Sequence, residues 1–261
     1  MKQRRSHRRL FWTLGVIGLV LFVLVGTWWG RNHHYLTQTR VQDTKTPTLF
    51  IPGYMGNKIS FGGMIRRMDH YGIGTKAMVI HVTKQGNVQI DQQASLKQKN
   101  PLIQVLFQNN KQEHVEAKQL RQVLYILKEK YQVQKVNLVG HSSGGNIVFD
   151  YLTSPTAKTK QVPRVSKFVN IATNFPGNKT AGHLLPKQLY ILNIAGDIWH
   201  LGSDGGIPVK QDLALKQIAA SRVAAYREVV VHGSPLTVYH SMLHENGAVD
   251  QIIAEYLFKP L

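Results

Sequence analysis

The 261-residue sequence contains no cysteine. Disulfides, thiolate metal sites, a cysteine nucleophile and a lipid-modified N-terminal cysteine are therefore excluded. The redox compartment stays open, because an exported chain can also do without cysteine. Acidic residues are scarce, 14 against 32 lysines and arginines, for a net charge of +18. None precedes Asp43. A positive balance of this size favours contact with anionic surfaces such as phospholipid headgroups or cell-envelope polymers. Nucleic acid is not implied, since no Lys/Arg run carries interleaved aromatics and no nucleic-acid module signature occurs. Internal repeats and low-complexity stretches are also lacking. Hydrophobic residues at 43% with 18% charged place the chain among globular sequences. Its length suits one mid-sized domain with an appendage.

Charge is missing altogether from Leu10 to Trp29. As a helix this run extends for about 30 Å, the thickness of a bilayer's hydrocarbon core. Trp28 and Trp29 close it where an interfacial aromatic belt sits. Lys2, Arg4, Arg5, Arg8 and Arg9 precede it, so the positive-inside rule keeps residues 1–9 cytoplasmic and exports everything after the span. A cleaved signal peptide is the alternative and would release a secreted domain. Its apolar region is usually about 7–15 residues and ends in a small-x-small site. This run is longer and ends Gly-Thr-Trp-Trp-Gly, so a retained anchor over 10–29 is expected. Residues 30–45 are polar, lack helical periodicity and read as a linker. His33 and His34 within it are read as solvated. The remaining domain is 46–261.

From Thr46 onward, strand and helix patterns alternate. Strands are expected at Thr48–Ile51, Ala77–Val82, Val88–Ile90, Leu102–Phe107, Val136–Val139, Phe168–Ala172, Tyr190–Ala195 and Glu228–Val231. Lys84-Gln85-Gly86-Asn87 reads as a hairpin turn. Helical spacing marks Ile59–Met68, Gln112–Tyr131, Gly145–Leu152 and a closing helix from Val249. Such alternation predicts an α/β fold with a mainly parallel sheet covered by helices on both faces.

The run Gly140-His141-Ser142-Ser143-Gly144 lies between the apolar strand ending at Val139 and the helix from Gly145. That strand–turn–helix setting is what a G-x-S-x-G nucleophile elbow requires. The turn is so sharp that the residues two before and two after the nucleophile crowd together, and glycines relieve the crowding. Only Ser142 has glycine at both positions. Ser142 is therefore the expected nucleophile, and the Ser143 backbone N–H an oxyanion donor at a helix N-terminus.

At these residues the chain resembles the α/β-hydrolase superfamily, and more narrowly the DUF915 family of Gram-positive cell-surface hydrolases. The resemblance runs from about Thr48 to the C-terminus. It rests on Phe50-Ile-Pro-Gly-Tyr54, Asn137-Leu-Val-Gly-His-Ser142, Gly202-Ser-Asp-Gly205 and His240-Ser-Met-Leu-His-Glu-Asn246. One departure is Ser143, where such proteins usually carry Met. The resemblance implies an α/β-hydrolase fold and a second oxyanion donor, the backbone N–H of Tyr54, after Pro52-Gly53. It implies an acid between serine and histidine in chain order, with Asp204 ahead of Asp197. It implies a base before the last helix, with His240 ahead of His244.

The expected triad is Ser142, Asp204 and His240, acting on a carboxylic ester through an acyl-enzyme. The same triad also suits acyl transfer or amide hydrolysis, and the scaffold suits a non-enzymatic surface protein. Met55, Phe61, Trp199 and Leu201 are candidates for an apolar acyl pocket. His141 is read as a packing or pocket residue. His240 and His244 with Glu245 have one spacing of a zinc site, but the order is not His-Glu-x-x-His and no third ligand is evident. No metal and no cofactor are expected.

Overall fold

The computed structural model describes residues 2–175 and 180–259, apart from the side chains of residues 2–10, 29, 31–33 and 180. The roles assigned above to the side chains of the basic tail, Trp29 and His33 lie outside it. The strands are β1 (Thr48–Ile51), β2 (Thr75–Val82), β3 (Val88–Gln92), β4 (Pro101–Phe107), β5 (Lys135–His141), β6 (Arg164–Ile171), β7 (Tyr190–Ile198) and β8 (Ala225–Gly233). They form one sheet in the order β3-β2-β4-β1-β5-β6-β7-β8. Every neighbouring pair is parallel except β2 and β3, the expected hairpin.

The helices are α1 (Lys2–Thr37), α2 (Gly62–His70), α3 (Glu113–Tyr131), α4 (Ser143–Thr153), α5 (Val209–Leu213), α6 (Leu215–Ala219), α7 (Pro235–Val238) and α8 (Gly247–Phe258). The period of two along each strand decides which helices each side chain meets. Leu49 and Ile51 of β1, with Leu138 of β5, join Leu120, Val123 and Leu124 of α3 and Ile147 and Val148 of α4. Phe50 and Val139 face the other way, onto Met64 and Ile65 of α2 and Val249 and Ile253 of α8. All four residues of β1 and all seven of β4 are buried, as expected for strands covered on both faces.

β1 and β5 lie side by side. The chain leaves β1 toward β2 and leaves β5 toward β6, on opposite sides of the pair. A crevice therefore opens above their C-terminal ends, the switch point where ligands bind in open parallel sheets.

The linker expected over 30–45 is corrected. Helix α1 continues to Thr37, and Leu36 is fully buried with α8 residues. Nothing between Gly30 and Thr37 breaks a helix, and each further residue adds one hydrogen bond. The burial of Leu36 supplies the tertiary anchor that the polar sequence did not advertise. Beyond the helix, Gln42 N–H donates to the Phe258 carbonyl at 2.9 Å. Asn100 bonds the same segment, accepting from Thr44 N–H at 2.8 Å and donating to the Gln42 and Ile73 carbonyls at 3.0 and 2.8 Å. Phe11–Trp28 of α1 is long and apolar enough to cross a membrane, with a mean hydropathy of 2.1 and none of it buried.

Arg67 of α2 ties together the elements that follow the sheet. Its Nε donates to Asp250 Oδ2 of α8 at 2.6 Å, Nη1 to Glu245 at 2.8 Å and Nη2 to the His244 carbonyl at 3.2 Å. Asp250 is fully buried, and burial lifts its carboxyl to about 6 despite the opposing pull of Arg67. Removing the guanidinium leaves that carboxyl without its cation in a site water does not reach. The substitution Arg67→Met is expected to destabilise the chain by about 3–5 kcal/mol. Denaturant unfolding of both proteins in detergent measures it, and a loss below about 1 kcal/mol would refute the role given to Arg67.

Candidate active site

β5 ends at His141 and α4 begins at Ser143, which leaves Ser142 alone at the corner with φ 54° and ψ −130°. An L-residue holds that conformation only when its surroundings impose it. Here Ser142 N–H donates to Ile171 O of β6 at 2.9 Å. The Ser142 carbonyl accepts from Gly145 N–H and from Thr173 Oγ1, both at 2.9 Å. The glycines are a steric necessity. A Cβ on Gly140 would stand 2.6 Å from the Gly144 carbonyl oxygen, and one on Gly144 would overlap the Ile51 carbonyl oxygen. One on Gly145 would overlap the side chains of Asn170 and Thr173, a third requirement that the motif does not state.

The turn after β1 presses on this corner. A Cβ on Gly53 would lie 2.8 Å from Ser142 Cβ. The Gly53 carbonyl accepts from Asn110 Nδ2 at 2.5 Å and from Gly56 N–H at 2.9 Å. In a trans peptide the C=O and the following N–H point opposite ways. Fixing the Gly53 oxygen on the Asn110 side therefore aims Tyr54 N–H away from Asn110. Asn110, which is buried, went unrecognised in the sequence; it stands three residues past β4 with no motif around it.

Asp204 and His240 meet. His240 Nδ1 lies 2.8 Å from Asp204 Oδ2, and His240 N–H donates to the Asp204 carbonyl at 2.9 Å. Asp204 is 1% exposed, and its Oδ1 accepts from Gly206 N–H at 2.8 Å and Ile207 N–H at 2.5 Å. The carboxylate is thus fixed on both oxygens. A carboxylate so placed accepts an Nδ1 proton, the tautomer in which Nε2 is the ring's acceptor atom. A Cβ on Gly206 would approach His240 Cγ to 2.9 Å. The second glycine of Asp204-Gly-Gly-Ile is therefore where the ring packs.

The rival residues are engaged elsewhere. Asp197 accepts from Gly202 N–H at 2.8 Å and lies 3.2 Å from His232 Nδ1. His244 is buried, with its ring against Phe61 and His141. Glu245 lies 3.4 Å from His244 Nδ1 but is paired with Arg67, and His240 Nδ1 is on Asp204, so the three do not group as metal ligands among the described residues.

His141 has a larger part than packing. Its Nε2 lies 3.0 Å from the His240 carbonyl, and the two rings are 4.7 Å apart. Burial holds its pKa well below the usual imidazole range, with His244 and His240 adding to the effect. A neutral His141 with its proton on Nε2 donates to that carbonyl and so ties the His240 segment to the end of β5. Phe61 is fully buried and reaches the site only through the His141 and His244 rings. Met55, Trp199 and Leu201 are exposed, Met55 just past Gly53 and the other two just past β7.

Under the corner runs a buried polar row. Asn170 Nδ2 donates to Asn193 Oδ1 at 2.6 Å, and Asn193 Nδ2 donates to the Asp212 carbonyl at 3.1 Å. Burial pushes the Asp212 carboxyl well above its ordinary value of 3.8, and the charge of Asp204 acts in the same direction. A raised folded-state pKa means that this contribution to stability is complete below the unfolded value and is lost as pH rises through the folded one. Asp212→Asn removes that loss. The variant's melting temperature is expected to gain on the parent as pH rises from the ordinary carboxylate range to neutrality. A difference that stays constant across that range would contradict a neutral buried Asp212.

Known proteins place the chain. Residues 36–183 and 178–260 match the model of a family described as alpha/beta hydrolases of unknown function, DUF915. The lin2722 gene product of Listeria innocua superposes with a TM-score of 0.75 at 23% identity, over 84% of this chain and 96% of that one. A protein of Lactobacillus plantarum WCFS1 assigned as a cell surface hydrolase superposes at 0.68 and 22% identity, over 81% and 91%. A thermostable carboxyl esterase of Bacillus coagulans superposes at 0.51 and 12% identity, over 84% and 91%. These likenesses concern the fold. Among curated proteins, none matches in sequence. With its α/β-hydrolase sheet and a family match that spans nearly all of the chain beyond the apolar segment, this protein belongs to the DUF915 alpha/beta hydrolases.

Proposed function

We propose that this protein is a membrane-anchored, extracellular serine hydrolase that cleaves carboxylic esters. The observation that carries the reading is the 2.8 Å contact of His240 Nδ1 with an Asp204 carboxylate fixed by two backbone N–H groups. The reading joins this pair to Ser142, held at φ 54° one residue after His141, whose Nε2 lies 3.0 Å from the His240 carbonyl. In the reaction Ser142 Oγ attacks the ester carbonyl and His240 Nε2 takes its proton. The Ser143 and Tyr54 N–H groups receive the oxyanion, each such donor being worth about 3–4 kcal/mol. Collapse expels the alcohol, which leaves with the proton from His240. Water then adds to the acyl-enzyme, giving its proton to His240, and releases the acid. Asp204 holds the tautomer and stabilises the imidazolium.

The rim favours an amphiphilic ester. Tyr54, Met55, Ile59, Trp199 and Leu201 all stand exposed on loops at the C-terminal edge of the sheet. Large apolar side chains gathered on one edge mark a surface that meets lipid or another apolar partner. A cavity of about 170 Å³ is lined by Leu24, Thr27, Trp28 and Tyr35 of α1 together with Ser234, Leu236 and Thr237. α7 therefore lies at the level of Trp28, where the apolar run ends, and His240 follows α7 by two residues. An active site at the membrane surface suits such substrates.

Ser142→Ala is expected to lower p-nitrophenyl ester turnover by about 10⁶ in kcat. Equal activity in that variant would end the serine reading. Asp204→Asn is expected to cost about 10⁴, and Asp197→Asn less than about tenfold, measured side by side. Product analysis with added alcohol acceptors separates hydrolysis from acyl transfer. Gly206→Ala, which crowds the His240 ring, is expected to lower kcat by about 10²-fold with little change in melting temperature. An unaltered kcat would mean that the ring position does not matter.

A further inference from the structure

The same loop that carries Asp204 holds a second constellation. Asp197 and His232 are cross-strand partners in the register of β7 and β8. His200 follows β7 by two residues. Trp199 and His200 both adopt left-handed backbone, φ 48° and 61°, although neither is glycine. That double turn folds the His200 ring back over His232, with centroids 4.1 Å apart and planes 23° from parallel. Among the described residues, Asp197, His200 and His232 form a group that offers three ligand atoms all within 4.8 Å of one another.

We propose that these three residues bind one divalent transition-metal ion, Zn²⁺ foremost, which clamps the ends of β7 and β8 beneath the Asp204 loop. A tetrahedral ion with bonds of about 2.0–2.1 Å sets its ligand atoms about 3.3 Å apart. Asp197 Oδ2 and His232 Nδ1 are already 3.2 Å apart. The His200 ring is exposed and offers the third ligand atom within 4.8 Å of the other two. The other Asp197 oxygen accepts Gly202 N–H at 2.8 Å, the outer-shell bond that orients a ligating carboxylate. Two imidazoles and one carboxylate suit Zn²⁺ and its neighbours, whereas Mg²⁺ and Ca²⁺ select oxygen ligands. Both histidines are exposed, so the ion exchanges with solvent and keeps a water as its fourth ligand.

The consequence reaches the acid. Ile198 N–H donates to Ser203 O at 2.9 Å, and Val209 N–H donates to Gly202 O at 2.9 Å. An ion on Asp197 and His200 thus closes the base of a loop whose next turn presents Asp204. Its role is to stiffen that loop, not to enter the ester chemistry, and its existence does not depend on the ester reading.

The test uses the full chain in detergent after chelator treatment, with Zn²⁺ alone as the probe. Titration calorimetry is expected to show one tight ion per chain. At a hundredfold excess over Kd the melting temperature is expected to rise by about 5–10 °C. His200→Asn keeps a residue that tolerates left-handed backbone but loses the imidazole. That variant and His232→Gln are each expected to bind at least about tenfold more weakly and to lose most of the thermal shift. His34→Asn, at an exposed histidine of α1, is expected to bind as the parent does, and Mg²⁺ to give no shift. Failure of the parent to bind a stoichiometric ion, or parental affinity in both His200→Asn and His232→Gln, overturns the proposal.

Discussion

The active-site region depends on backbone touching backbone where β1 and β5 end. Gly53 lies against Ser142, Gly140 against Gly144, and Gly144 against the Ile51 carbonyl. Only chains without Cβ atoms at these points can bring two loops from adjacent parallel strands so close. The contact does three things together. It accompanies the positive φ of Ser142, it brings Gly53 up to the serine, and it lets α4 start immediately behind it, with the helix N-terminus next to that residue. None of these properties belongs to a single residue. They follow from the absence of side chains at the crossing.

The histidine side of the crevice is supported differently, by polar groups rather than by small ones. His240 is fixed through its ring by Asp204, through its N–H by the Asp204 carbonyl and through its own carbonyl by His141. The segment after it is held by Arg67 through the His244 carbonyl and Glu245. Three segments distant in sequence thus converge on one loop that has little regular structure of its own, a 3-10 turn from His240 to Glu245. Holding an imidazole in one position on such a loop requires support from neighbouring elements, because the loop lacks a ladder of its own.

The six inner strands were legible because burial writes them as short apolar runs, whereas the edge strands β3 and β8 have no buried residue and showed through the hairpin turn and the run Val229–Val231. The long helices were legible because α3 and α8 repeat apolar residues at helical spacing. The Ser142 elbow was legible because its steric needs are local. Asp204 and His240 were legible as types and order, and their pairing had to come from space. Three things stayed hidden. Asn110 and His141 act through single hydrogen bonds across long sequence gaps, and such bonds leave no periodic trace. Helices α5, α6 and α7 have only four or five residues each, too short for an amphipathic pattern to repeat. The continuation of α1 past Gly30 rests on one buried leucine, and one residue has no period.

That continuation alters how the domain is mounted. A polar linker would let a domain swing over a hemisphere around its tether and visit targets at many heights. Helix α1 instead passes from the apolar run into the α8 interface as one rod of about 54 Å, with the following segment bolted to Phe258 and Asn100. With Phe11–Trp28 in a bilayer, the height and facing of the sheet's C-terminal edge are set by the rod. A domain anchored in this way would search in two dimensions. Its encounters would depend on lateral diffusion and on what reaches one fixed plane above the lipid, not on the reach of a flexible arm.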